Sequence, residues 1–261
     1  MLRAFSTAAT GMTAQQTMVD VIANNLANVN TAGFKRSQVN FQNLLYIKME
    51  EPGTEIASGI NSPSGIEIGS GVRVASTIKV FGPGELENTA NPLDIAISGD
   101  GFLQVTMPNG DLRYTRDGSL MTNADGELVT SSGYAIVPAI SVPIDATSVS
   151  IEKDGGVNIT DSSGTQSVAG TIQLARFPNP SGLSAEGGNL LAENEASGTP
   201  TTGTPGDSGF GSIQSGFLEK SNVQMVTELV NLITAQRAYE TNSKAITVGD
   251  EMLQTANNIV R

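Results

Sequence analysis

The chain has 261 residues, room for one domain or two, and its 26 acidic against 14 basic side chains leave a net charge of -12. Phosphate binding needs clustered Lys and Arg, so this balance excludes a nucleic-acid binder and a polybasic membrane binder. Without Cys or His there can be no disulfide, thiol nucleophile, thiolate metal site or imidazole base, and no stretch approaches the roughly 18 apolar residues of a membrane span.

The N-terminal segment MLRAFSTAATGMTAQQ lacks the apolar core and small-residue cleavage site of a secretory signal peptide. Instead its apolar residues place Phe5, Met12, Val19 and Leu26 one heptad apart, which predicts a helix with a narrow seam. Asn28 to Gly33 supplies the Asn and Gly that close helices through a left-handed backbone. Asn24, Asn25 and Asn28 are poor helix-interior residues, because their amides compete for backbone partners, and in the assembly that the family resemblance given below implies they are expected to hydrogen-bond adjacent protomers.

Between the ends the character changes. All 11 prolines lie between Pro52 and Pro205, and 26 of the 29 glycines lie there or close by. Residues 46–90 read as an extended or hairpin segment, residues 91–205 as a small β domain, and 206–222 as a return linker. Short alternating runs at 93–97, 101–105 and 134–137 predict strands, and Asn109-Gly110 and Asp125-Gly126 predict tight hairpins. The Thr, Gly and Pro of 197–209 suggest a flexible surface loop.

From about Val223 to the C-terminus a second helix is predicted, with Met225, Leu232, Tyr239, Ile246, Leu253 and Val260 in heptad spacing, supported by Leu229, Ala235, Gly249 and Ala256 on the neighbouring position. Ser221 and Asn222 suit an N-cap, while Glu228 and Glu240 suit a solvated face. A polar row, Thr234, Arg237, Thr241, Lys244, Glu251, Thr255 and Asn258, follows alternating three- and four-residue spacing. On spacing alone it reads as a solvated helix face, and the family resemblance given below makes a face toward a channel or a neighbouring subunit an equal reading.

No enzymatic constellation survives inspection. Ser76-Thr77-Ile78-Lys79 has the serine–lysine spacing of penicillin-binding enzymes but none of the accompanying elements. Asn123 to Glu127 lacks the ligand spacing of a calcium loop. Asp94, Asp100, Asp111 and Asp117 crowd one region, yet Asp beside Gly at 100–101 and 117–118 is turn chemistry. No cofactor, metal or catalytic residue is expected. The fold class expected is mixed: a central mainly-β domain with long N- and C-terminal helices. On pattern alone those helices serve an intramolecular hairpin as well as they serve a filament.

The terminal blocks are distinctive. Gln15-Gln16, then Asp20 through Thr31, then Gly33-Phe34-Lys35-Arg36 resemble the N-terminal signature of bacterial flagellar rod and hook proteins. Ser221-Asn222-Val223, Glu228 to Ile233, Gln236 to Glu240, Asn242-Ser243-Lys244 and Asp250 to Gln254 resemble that family's C-terminal signature. Length and the runs Asp117-Gly118-Ser119, Gly126 to Val129 and Gly133-Tyr134 are most similar to its distal rod members, with proximal rod and hook-type subunits as the nearest alternatives.

The resemblance implies a structural subunit that polymerises helically into a hollow drive shaft in the basal body, exported through the flagellar apparatus into the periplasm. The paired helices would form a coiled-coil-like inner layer packed through Phe5, Met12, Val19, Leu26, Met225, Leu232, Tyr239, Ile246 and Leu253. Arg237, Thr241, Lys244, Glu251, Thr255 and Asn258 would be candidates for the channel face, and the segment from Tyr46 to about Gly71 would stiffen the shaft. Partners implied are the chain itself, proximal rod proteins, hook protein and the surrounding periplasmic and outer-membrane rings. A periplasmic peptidoglycan hydrolase and a secreted adhesin are the alternatives of other classes.

Overall fold

The computed structural model describes residues 2–51, 55–57, 60–61, 64–143, 146–162 and 164–259. Val260, the last position of the predicted C-terminal row, lies outside them. The chain is mainly β, with an N-terminal helix α1, Leu2–Ala27, and a C-terminal helix α2, Met225–Ile259. Two compact units form. The first comprises Met1–Leu26, Ser37–Ile78 and Met225–Arg261, and the second Ala27–Arg36 and Lys79–Gln224.

In the first unit α1 and α2 touch in antiparallel sense. A side-chain carbon on Gly249 would lie 2.7 Å from the Phe5 ring, and one on Gly11 would lie 2.9 Å from Asn242 Nδ2. Small residues at these two places let the helices approach. Ala14, Ile22 and Asn25 of α1 are buried, as are Glu228 and Ala235 of α2. Glu228, Ala235, Asn242 and Gly249 are spaced by sevens, so the row that α2 turns inward lies beside the one read from the sequence. Of that sequence row, Leu232 and Ile246 are half-buried, while Met225, Tyr239 and Leu253 are exposed. Glu228 accordingly does not sit on a solvated face: it shares the row of Ala235 and is buried with it. Phe5, Met12, Val19 and Leu26 are all half-buried.

The rest of this unit is a set of two-stranded ribbons. Ser37–Asn43 pairs with Val72–Lys79, and Tyr46–Glu50 with Ile66–Gly69. Leu44 donates its N–H to Gly71 O at 2.9 Å, joining one ribbon to the next. Ser76 is exposed on a strand, in a setting without the helix start that a serine–lysine nucleophile requires.

The second unit is built on a nine-stranded sheet with Phe102–Thr106 at its centre. The strands expected around 93–97, 101–105 and 134–137 fall at Ile95–Ser98, Phe102–Thr106 and Ala135–Val137. Both expected turns close as hairpins, with Gly110 and Gly126 at positive φ. The alternation of these strands sends Leu103, Val105, Leu128, Ile136 and Leu174 inward together with Val157, Ile172 and Ile213, each almost wholly buried. A second cluster on the sheet is aromatic: Phe102, Tyr114 and Phe177 meet edge to face, with Phe81 against Phe102 at 5.4 Å between centroids.

Two stretches differ from their sequence reading. Residues 197–209 are not a loose loop, because Thr201–Gly203 pairs with Leu174–Arg176 and both Ser197 and Pro205 are buried. Residues 206–222 carry Ser212–Ser215, paired with Ile95–Ser98, and Phe217–Glu219, paired with Leu86–Asn88. Gly206, Gly209 and Gly216 there turn the chain at positive φ around these strands, and Ile213 is fully buried.

Candidate assembly surfaces

Within the first unit two apolar faces are left in the open. On α2, Val226, Leu229, Val230 and Ile233 follow the i, i+3, i+4, i+7 spacing of a single helix face, and all four are exposed, Val226 by 75% and Val230 by 57%. Covering such side chains is worth about 1.5–3 kcal/mol each. The ribbon supplies the second face. Ile47 stands opposite Ile68 across the strands, Ile66 and Leu45 follow the same alternation, and Met49 stands at a bulge. All five are exposed, Leu45 by 87% and Met49 by 62%. The other side of the ribbon carries Tyr46 and the cross-strand pair Lys48 and Glu67. An apolar face of this extent is what a soluble protein reserves for a partner.

The polar row of α2, including Arg237, Thr241, Lys244, Glu251, Thr255 and Asn258, is exposed throughout. Thr234, Thr241 and Thr255 donate their hydroxyls to the carbonyls of Val230, Arg237 and Glu251 at 2.8–2.9 Å. The threonines are therefore satisfied by the helix itself, and the charges of Arg237, Lys244 and Glu251 give the row its character.

The three asparagines differ. Asn25 is buried and spends its amide inside the chain, donating from Nδ2 to Ser37 O at 2.9 Å and accepting from Ser37 N at 2.8 Å. Asn28 accepts from the Thr31 hydroxyl at 3.1 Å, closing the turn after α1. Asn24 is exposed.

Sequence reasoning missed a buried charge cluster in the second unit, where the segment following α1 meets the segment preceding α2. Lys35 Nζ donates to Glu219 Oε1 at 2.6 Å and to Gly82 O at 2.9 Å. Arg116 Nη1 lies 3.5 Å from Glu219 Oε2, and its Nη2 donates to Gly99 O at 2.8 Å. All three side chains are buried. Gly84 N completes the Glu219 carboxylate at 2.9 Å. Burial holds the Lys35 ammonium below its ordinary pKa, against the opposing hydrogen bond and charge of Glu219. The same desolvation lowers Arg116.

Backbone joins the same segments. Gly33 N donates to Glu219 O at 2.8 Å, and Gly33 sits at φ +67° with its Cα against the Arg116 carbonyl, a place no side chain fits. Arg36 N donates to Asn222 Oδ1 at 2.8 Å, and Asn222 Nδ2 donates to Val80 O at 2.8 Å. Asn222 is thus a crosslink between strands and not the N-cap that its position suggests, and the Ser221 hydroxyl accepts from Val223 N ahead of the helix. Lys35 and Glu219 are 184 residues apart, so no local spacing could announce the pair. The one available signal was that Lys35 and Asn222 both fall inside the two terminal signature blocks.

Three of the four crowded aspartates accept hydrogen bonds from residues two or three positions away. Asp94 accepts from Asn91, Asp111 from Asn109, and Asp117 from the backbone and hydroxyl of Ser119. Among the described residues no group of His, Cys, Asp or Glu is arranged to hold a metal.

A β unit with a closed core and a helical unit with uncovered apolar faces are the features of an assembling structural protein. Residues 5–35 match the family of flagella basal body rod proteins, 96–159 the flagellar hook protein FlgE/F/G D1 domain, and 214–259 the flagellar basal body rod FlgEFG protein C-terminal region. The chain belongs to the flagellar basal-body rod protein family. It is similar along its length to flagellar basal-body rod protein FlgG of Borreliella burgdorferi, 45% identical with all of both chains covered. FlgG of Buchnera aphidicola from Baizongia pistaciae is 46% identical over 97% of this chain and 98% of its own, and FlgG of Bacillus subtilis 38% over all of both.

Proposed function

We propose that the chain is the structural subunit of the flagellar distal rod, polymerising helically into a rigid hollow shaft that carries torque from motor to hook and encloses the export channel. The observation that carries this reading is full-length similarity to rod proteins in a chain whose helical unit leaves two apolar faces uncovered. In the polymer α1 and α2 form the inner layer, and the flank of Met225, Leu232, Tyr239, Ile246 and Leu253 packs against neighbouring copies with Phe5, Met12, Val19 and Leu26. Many identical copies repeating one heterologous contact make an open filament instead of a closed ring. The Tyr46–Gly69 ribbon stiffens the shaft by laying its apolar side on an adjacent subunit.

Arg237, Thr241, Lys244, Glu251, Thr255 and Asn258 then face the channel or the next subunit, and Asn24 and Asn28 lie at protomer contacts. Proximal rod proteins below, hook protein above and the periplasmic and outer-membrane rings around it are the further partners, and the chain reaches the periplasm through the flagellar export apparatus. The deciding experiment replaces the chromosomal gene with a tagged copy and isolates hook–basal bodies. Tag along the rod between the proximal segment and the hook is expected. A soluble periplasmic tag with motility unaffected by deletion of the gene would end this reading.

A further inference from the structure

The strands Ala146–Ile151, Gly156–Asp161 and Gln166–Thr171 form a separate three-stranded sheet in the second unit, and its two outer strands pair with no other strand among the described residues. One face of this sheet belongs to the core through Ile151, Val157 and Ile159. The other face carries two cross-strand rows, Ser148–Thr160–Gln166 and Ser150–Asn158–Val168, with no charge in either and Val168 exposed by 69%.

Sheet edges in soluble proteins are normally blunted by charge, proline or very short strands, because an open edge is a template for another strand. Here the outer strands read ATSVSI and QSVAGT, six residues each without charge or proline. Among the described residues the uncharged strand Ser37–Asn43 is also open on one side, while two other edges carry charge. The outer strand Ser184–Gly187 of the large sheet carries Glu186, paired with Arg113 at 2.6 Å, and the Tyr46–Glu50 ribbon carries Lys48 and Glu50. In a chain of net charge -12, copies repel one another except where their surfaces are uncharged. The two outer strands carry no charge of their own, and the charge on the open face is the Glu152 carboxylate, which accepts from Asn158 Nδ2 of the middle strand at 2.5 Å.

Their direction selects the occupant. Both outer strands run antiparallel to the middle one and so run parallel to each other. Two copies related by a rotation and a shift, as in a helical polymer, can set the 166–171 edge of one beside the 146–151 edge of the next. That contact uses different surfaces on the two copies and does not close on itself. Near Ile151 the Ser212–Ser215 strand approaches, which leaves Ala146–Ser150 as the accessible part of that edge.

We propose that a second copy of this chain pairs its Gln166–Thr171 strand with the Ala146–Ser150 edge, continuing the sheet from subunit to subunit. This rests on the rod reading and adds to it a lateral contact made by the β unit.

The chain has no cysteine, so introduced pairs report cleanly. In one chain Ser150 and Val168 stand two strands apart, about 9.5 Å by normal strand spacing, beyond the roughly 4.4–6.8 Å that a disulfide spans. Any disulfide in a Ser150→Cys, Val168→Cys double variant must therefore join two chains. Hook–basal bodies isolated from cells expressing it, then mildly oxidised and run without reductant, should give a ladder of dimers, trimers and higher species. Each single variant should run as a monomer. Monomer only from intact rods, both with this pair and with Ser148→Cys, Val168→Cys one row along, would overturn the proposal while leaving the rod reading in place. A band from Val168→Cys alone that stops at dimer would overturn it too, since that is a two-fold contact. Absence of the wild-type chain from isolated hook–basal bodies would remove the rod reading and this proposal together.

Discussion

The two units solve the problem of apolar surface in opposite ways. The β unit hides Leu103, Val105, Leu128, Leu174 and Ile213 completely and adds a buried ion cluster at Lys35, Arg116 and Glu219. The helical unit buries Ala14, Ile22 and Ala235, small or single contributors, and leaves Val226, Val230, Ile233, Ile47 and Met49 outside. The first is finished as a monomer, and the second is finished only by neighbours. Substitutions in the β unit should therefore be read in the stability of the isolated chain, and substitutions on the helical unit in the polymer.

The largest effect is expected at Glu219. Replacing it by Gln leaves two buried cations without their counter-charge, which typically costs about 3–5 kcal/mol; urea unfolding of the purified chain, followed by tyrosine fluorescence, measures it. The pH dependence sharpens the test. Lys35 is held below its ordinary pKa of 10.5 by burial, and Glu219 opposes that shift. A base depressed in the folded state weakens the fold where it must stay charged, so stability rises as pH climbs from the folded pKa toward 10.5. Without Glu219 the depression deepens, and Glu219→Gln should gain stability with pH more steeply than wild type as pH climbs toward 10.5. Equal slopes would mean that Lys35 and Glu219 are not coupled. Above about pH 10 the trend should turn, because burial and Glu193 raise the Tyr114 pKa.

Leu174→Ala comes next. The side chain is fully buried at the heart of the large sheet, and truncation there costs about 2–5 kcal/mol according to how far the site collapses. The midpoint should fall in the same urea experiment, and a loss under 1 kcal/mol would mean the core is looser than its burial implies. Asn25→Ala should lose less, about 1–3 kcal/mol, by stranding the Ser37 N–H and carbonyl that the amide satisfies. Amide hydrogen exchange at Ser37 is the sharper readout. It should accelerate in the variant, and unchanged protection would place the bond outside the energetics of the turn.

How much of this could be read from the sequence depends on how local each cause is. Helix boundaries and the hairpins at Gly110 and Gly126 come from signals within a few residues, periodicity and positive φ, and fell where expected. Within the chain α2 turns inward the row beside its heptad row: Ala235 and Gly249 are legible there as neighbours of the seam, while Asn242 looks like a poor packing residue until Gly11 is seen opposite it. Glu228 was assigned to water for the same reason. The strand at Thr201–Gly203 was hidden by its Thr, Gly and Pro content, since its partner Leu174–Arg176 lies far back in the chain. The ion cluster had no signature beyond Lys35 lying in the N-terminal block, because Arg116 and Glu219 lie in neither block. The apolar faces were visible only in part: the sequence shows that Val226, Val230 and Ile233 are hydrophobic, and only the fold shows that they stand exposed among the described residues.

The smallest effect on the monomer should come from that uncovered helix face, and it divides the two units most cleanly. Val230→Asp changes a side chain already 57% exposed, so unfolding of the purified chain should shift by no more than about 0.5 kcal/mol. In the polymer the same aspartate would have to be buried against a neighbour without a partner, at a cost of several kcal/mol per contact. The measurement is paired: urea unfolding of the purified variant, and recovery of rods from cells that express it alone. A stable monomer that yields no rod and no swimming would show that this face is completed by assembly. A stable monomer that still builds normal rods would place the face in solvent in the shaft, and the division between a self-sufficient β unit and a neighbour-dependent helical unit would then rest on the ribbon around Ile47 and Met49 alone.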